Sequence, residues 1–158
     1  MKYFTDQELR CRCCGQLPPF ARENIEALVA NVLDPLREVY GKPIHVTSGY
    51  RCLKHNTAVG GVKNSQHMIG QAADINTGGL NTYGLPLTED ERKSENFKLA
   101  KILAQQNNFD QMILYVNNAT DLRPRFIHVS YKRIGTNRHC ILKKIAGHTN
   151  YNVVPRID

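Results

Sequence analysis

The chain of 158 residues reads as an α+β fold, a small antiparallel sheet packed against helices. Apolar residues recur at helical spacing from Arg22 to Tyr40 and again after Thr88, and short apolar or alternating runs lie outside those stretches. Helices and strands come in runs, whereas a regular alternation would indicate a parallel sheet. One domain over residues 1–158 follows, with a cysteine-containing N-terminal arm ending near residue 20.

Thr5-Asp6-Gln7-Glu8 fits a capping box and opens a short helix, which the cysteine cluster and Pro18-Pro19 stop. From Arg22 to Tyr40, Ile25, Leu28, Val29, Val32, Leu33, Leu36 and Val39 mark one helix face. Pro35 should kink or split it, and Gly41 with Pro43 ends it. Ile44 to Tyr50 reads as a strand, Asn56 to Ser65 as a glycine-bearing loop, and Ala72 to Asn76 as a short buried strand. Thr88 with Glu91 suggests a second capping box, opening a helix to about Gln106 with Phe97, Leu99, Ala100, Ile102 and Leu103 inside. Gln111 to Val116 and Arg125 to Tyr131 suggest an antiparallel pair, to which Cys140 to Ile145 could add a strand.

Hydrophobic residues at 41% and charged ones at 22% provide a core and a soluble surface. No apolar run approaches the ~20 residues of a bilayer span, and Met1-Lys2-Tyr3-Phe4-Thr5-Asp6 lacks the apolar centre of a signal peptide. The expectation is a monomer made in the cytoplasm, with no membrane partner. The net charge of +7 favours polyanionic surroundings such as a cell wall. Arg123, Arg125, Lys132, Arg133, Arg138, Lys143 and Lys144 form a mild cluster without a nucleic-acid motif, and read as a solvated basic face rather than a specific nucleic-acid site.

Cys11-Arg12-Cys13-Cys14-Gly15 resembles a metal knuckle or a disulfide anchor, but no second paired set of ligands follows at a standard spacing. Cys52 could pin the N-terminal arm to the segment Ser48-Gly49-Tyr50-Arg51. A structural role, as disulfide or buried thiols, is expected.

The residues with most chemistry are His67 and Asp74, in Ser65-Gln66-His67-Met68-Ile69-Gly70-Gln71-Ala72-Ala73-Asp74-Ile75. An aspartate entering an apolar segment costs several kcal/mol unless paired or metal-bound. His128 in Phe126-Ile127-His128-Val129 offers a third ligand. Two nitrogens and a carboxylate leave one tetrahedral corner open, as catalytic zinc requires. His45, His55, His139 and His148 read as structural histidines.

Four segments occur in order: Ser48-Gly49-Tyr50-Arg51, Asn56 with Val59-Gly60-Gly61, Ser65-Gln66-His67 through Asp74-Ile75, and Ile127-His128-Val129-Ser130. In residue type, order and spacing they resemble the zinc-dependent D-Ala-D-Ala carboxypeptidase family of peptidoglycan peptidases, whose fold is shared with Hedgehog signalling domains. The resemblance runs from Val32-Leu33-Asp34-Pro35 to about Tyr131. It implies a Hedgehog/DD-peptidase-like fold with Zn2+ held by His67, Asp74 and His128. Arg51 would bind the substrate carboxylate or the developing oxyanion, and Ser65 would position substrate or order the His67 loop.

The sequence departs from the family at the general base. Relatives commonly carry an acid three positions before the last histidine or a histidine two before it, and here those positions are Arg125 and Phe126. Tyr115 stands where many relatives have glutamate; Asp121, Asp110 and His139 are candidate substitutes, with Asp121 taken as the base. The expected function is a zinc peptidase acting on peptidoglycan stem peptides, as carboxypeptidase or endopeptidase, in the manner of a phage or prophage endolysin reaching the wall by a separate route. The alternative is a non-catalytic zinc-containing wall-binding or phage structural module.

Overall fold

A computed structural model describes residues 1–158. It is α+β, with a six-stranded sheet in the order β1-β2-β4-β3-β5-β6. The strands are β1 (Ile44–Ser48), β2 (Ala72–Thr77), β3 (Gln111–Val116), β4 (Phe126–Ser130), β5 (Cys140–Ile145) and β6 (Tyr151–Val153). The helices are α1 (Asp6–Leu9), α2 (Pro19–Leu28), α3 (Asp34–Tyr40), α4 (Leu53–Ala58) and α5 (Glu89–Gln106).

The sheet is mixed, which corrects the expected antiparallel one: β3 and β5 run parallel, and every other pair is antiparallel. The cause is the connection after β4. Ser130 ends β4 beside the start of β3, and the chain crosses that end to begin β5 opposite Gln111. Asp110 anchors the crossing: its amide donates to Ser130 O at 2.8 Å, its carbonyl accepts from Cys140 N at 3.1 Å, and its carboxylate accepts from Arg138 Nη2 at 2.7 Å.

Pro35 splits the expected long helix through a π-helical stretch, Val29–Leu33, between α2 and α3. Proline lacks the amide that would reach the Asn31 carbonyl; Asn108 Nδ2 donates to that carbonyl instead, at 2.6 Å. Ile25, Leu28, Val29, Val32, Leu33 and Leu36 are wholly buried, whereas Val39 faces solvent. They join Leu99, Ala100 and Leu103 of α5 and Ile75, Leu114, Ile127 and Val129 of the sheet in one core. Helix α5 starts at its capping box, with Glu91 N–H donating to Thr88 Oγ1 at 3.2 Å and Thr88 N–H donating to the Glu91 carboxylate at 3.1 Å.

Glu95 ties α5 to the C-terminal end of α3, accepting from Tyr40 at 2.9 Å and Lys42 at 2.7 Å. Burial pushes its carboxyl up, but hydrogen bonds from Lys42, Lys98 and Tyr40 outweigh that and bring it down to about 2 from 4.5. A depressed folded-state pKa stabilises fully above the unfolded value and is lost as pH falls. The stability gap between wild type and Glu95→Gln should therefore hold above pH 4.5 and close on acidification towards 2, as read by unfolding at stepped pH.

Helix α4 lies where a loop was expected from Asn56 on. It is short, its Leu53 is exposed, and its N-cap is a cysteine, Cys52, whose sulfur accepts from His55 N–H at 3.4 Å. No apolar period announces such a helix. The N-terminal arm packs on the end of β1. Tyr50 N–H donates to Leu9 O at 2.9 Å, and a Cβ on Gly49 would stand 2.4 Å from that oxygen, so only glycine admits the contact.

Candidate metal centre

Each side chain of the centre is placed by sheet register. Asp74 on β2 is paired with Ser48 of β1 on one side and His128 of β4 on the other. A bulge between Val46 and Ser48 ends the regular register of β1 just before Gly49 and Arg51. His67 comes from a 3₁₀ turn, Gln66–Ile69, whose first amides are capped by Ser65 Oγ, which accepts from His67 N–H at 3.2 Å. The turn stops at Gly70, in the left-handed region at φ 78°.

A Cβ on Gly70 would lie 2.3 Å from the Ala21 carbonyl oxygen. Gly70→Ala combines left-handed strain with overpacking and should cost roughly 2–5 kcal/mol. Denaturant unfolding measures it; a loss under about 1 kcal/mol would mean that the turn and α2 separate freely.

Three donor atoms converge. His67 Nε2 lies 3.2 Å from Asp74 Oδ1 and 3.2 Å from His128 Nδ1, and His128 Nδ1 lies 3.1 Å from the same Oδ1. All three residues are buried. His67 Nδ1 sits 2.8 Å from Gly49 O, which can only accept, so Nδ1 donates and Nε2 is the nitrogen that faces the centre. Burial pushes the Asp74 carboxyl up, but the two imidazoles outweigh it and hold the group well below the usual carboxylate range. Burial also lowers His128, against the opposing pull of Asp74. An ionised carboxylate and imidazoles with free lone pairs are the forms that ligate a metal. Zinc takes such donors at about 2.0–2.2 Å, which places them a little over 3 Å apart around the ion. The donor set fits zinc.

Arg51 completes the wall of this centre. Its Nη2 donates to Asp74 Oδ2 at 3.0 Å and its Nε to Ser48 Oγ at 2.9 Å, while its own amide donates to His67 O at 3.0 Å. Its Nη1 also donates to Asn56 Oδ1 at 3.4 Å, and because guanidinium carries five donors, two remain for another partner. The expected loop role of Val59-Gly60-Gly61 has a local basis in Asn56, which is buried and donates to Val62 O at 2.9 Å.

The centre opens into a cleft of about 750 Å³, lined by Arg51, the Val59–Val62 loop, Ser65, Tyr115, Phe126 and Tyr151. Lys132, Arg138 and Lys144 also line it, so part of the expected solvated basic face belongs to the cleft. Asp74 is the one carboxylate in the lining. Tyr115 and Phe126 are register partners stacked at 4.2 Å beside His128, and burial with the neighbouring Tyr151 raises the Tyr115 phenol, so it stays protonated.

The candidate bases lie elsewhere. Asp121 does not line the cleft; its carboxylate is held by Arg123 Nε at 3.0 Å and Lys93 Nζ at 3.3 Å. Asp110 is wholly buried against Arg138, and His139 stacks edge-on against Phe109, outside the lining. Sequence reasoning also passed over Gln66, whose amide links Asp110 to the His67 turn with a 3.1 Å hydrogen bond.

The Peptidase M15 family model matches residues 2–109. The chain belongs to the Peptidase M15 family. That stretch carries Arg51, His67 and Asp74, while His128 lies beyond it. A segment of 47 residues is 47% identical to the zinc D-Ala-D-Ala carboxypeptidase of Streptomyces albus G. The match covers 29% of this chain and 18% of that protein. No helix is long and apolar enough to cross a membrane.

Proposed function

We propose that this M15 member is a zinc peptidase that hydrolyses peptide bonds in peptidoglycan stem peptides, as a D-Ala-D-Ala carboxypeptidase or an endopeptidase. The observation that carries the reading is the convergence of His67, Asp74 and His128 within 3.2 Å at the floor of a cleft with Arg51 on its wall. Family membership and the zinc carboxypeptidase relative support it. The proposed unit is one domain over residues 1–158 with a Hedgehog/DD-peptidase-like fold, an extension of its α+β architecture.

When bound, zinc supplies a Lewis acid and lowers the pKa of water towards ~7. The chain's own residues do the rest. Asp74 and the two imidazoles would hold the ion. The spare donors of Arg51 bind the substrate carboxylate or the oxygen on which charge develops. Ser65 keeps the His67 turn in place, and the protonated Tyr115 can donate one further hydrogen bond. Arg51, Lys132, Arg138 and Lys144 give the cleft the charge that a stem peptide's carboxylates require.

Stripping zinc should abolish hydrolysis of a D-Ala-D-Ala-ended stem peptide, and adding it back should restore it. Arg51→Ala should lower kcat by about 10²–10³ with zinc retained; unchanged kinetics would remove Arg51 from its role. A second reading rests on one observation, the absence from the cleft of any carboxylate besides Asp74. It takes the protein as a zinc-containing wall-binding or phage structural module, which would bind peptidoglycan without cutting it. The endolysin setting, with action at the wall after synthesis in the cytoplasm, belongs to the first reading.

A further inference from the structure

The cysteine cluster is the one motif that the cleft chemistry leaves unused. No pair of its thiols is joined in a disulfide. The fold brings Cys52, from the segment after β1, onto the loop Cys11–Gln16, which is closed by hydrogen bonds from Cys11 N to Gln16 O and from Gly15 N to Cys11 O, both 2.9 Å. The sulfurs of Cys11, Cys14 and Cys52 lie within 4.8 Å of one another. The Cys13 thiol is exposed and lies outside that trio, on the side of Cys52. Two amides point at these sulfurs, Cys52 N–H to Cys11 Sγ at 3.5 Å and His55 N–H to Cys52 Sγ at 3.4 Å. Amide donors of this kind favour thiolate over thiol. Ala21, Tyr50 and Leu17 form an apolar backing.

We propose that Cys11, Cys13, Cys14 and Cys52 form a second metal site, a closed tetrathiolate site for zinc, separate from the His67–Asp74–His128 centre. Structural zinc takes four ligands in a tetrahedron with Zn–S of about 2.3 Å, which sets the sulfurs just under 4 Å apart. The sulfurs of Cys11, Cys14 and Cys52 need only a small contraction to reach that spacing, and the exposed Cys13 side chain has to turn in to join them. The ligand set that the spacing of the cluster lacks is completed in space by Cys52. Each thiol releases its proton on binding, and Lys54, beside Cys13, offsets part of the resulting negative charge. Cys52 follows Arg51 and caps α4, so the ion fastens the N-terminal arm to the segment that carries Arg51. The inference stands whether or not the cleft hydrolyses peptides.

The test is cobalt titration of the full chain, reduced and stripped of metal. Wild type should bind two Co2+ per chain, one of them with intense near-ultraviolet sulfur-to-cobalt charge transfer. His67→Ala should lose one equivalent and keep that band. Cys13→Ser and Cys52→Ser should weaken or lose the band and retain cobalt at the histidine centre. Should these variants fail to fold, the wild-type and His67→Ala spectra decide by themselves. One Co2+ per chain without a sulfur band, or a disulfide among these four cysteines in the protein as isolated, overturns the proposal.

Discussion

Asp74→Ala should leave the protein with one zinc fewer per chain than wild type and lower kcat/KM on stem peptides at least a thousandfold, a loss of about 4 kcal/mol in transition-state stabilisation. Asp74 is the anionic member of the donor set: Oδ1 stands 3.2 Å from His67 and 3.1 Å from His128, while Oδ2 accepts from Arg51. Without it, two imidazoles and a guanidinium surround the position of a dication, and no other carboxylate lines the cleft to replace the charge. Metal analysis beside wild type measures the loss. A variant that keeps wild-type zinc content removes Asp74 from the ligand set.

Asp110→Ala should destabilise the fold by about 1–3 kcal/mol, because it removes the buried acceptor of several donors, while the half-exposed Arg138 guanidinium turns to water. For a chain of this length the midpoint of thermal unfolding then falls by roughly 5 °C. The Asp110 carboxylate accepts from Arg138 N at 2.8 Å, Arg138 Nη2 at 2.7 Å and Gln66 Nε2 at 3.1 Å. It therefore holds both the crossing into β5 and the residue before His67. Its carboxyl lies well below the ordinary range because these donors outweigh burial. Denaturant unfolding gives the number, and a loss under about 1 kcal/mol would show the crossing to be held by other contacts.

The convergence of His67, Asp74 and His128 was legible because an aspartate inside an apolar strand needs a partner, and the two histidines stood within motifs that supplied one. The capping boxes at Thr5 and Thr88 and the face from Ile25 to Leu36 were legible for a similar reason: local chemistry alone determines them. The parallel pairing of β3 with β5 was not, because it depends on the side from which the chain returns, which no periodicity encodes. Asp110 and Asp121 look alike as letters. One is wholly buried at a strand crossing and the other sits in a loop with Arg123 and Lys93, and tertiary contacts alone distinguish them. Asn96 was hidden likewise: it is wholly buried and joins Thr77, Asn76, Pro124 and Arg125, within a helix read for its apolar face. Lys132, Arg138 and Lys144 stood out as part of a basic cluster but read as a solvated face, because only the strands around them bring these three to the cleft.

The central claim is peptide-bond hydrolysis in peptidoglycan by this centre. Mass spectrometry of purified peptidoglycan incubated with the zinc-loaded protein, with His67→Ala as control, tests it most directly. New amine ends that depend on His67 are the expected result, and their masses identify the bond cut. Intact stem peptides across a range of walls, with zinc bound throughout, would contradict it and leave the wall-binding module as the better reading.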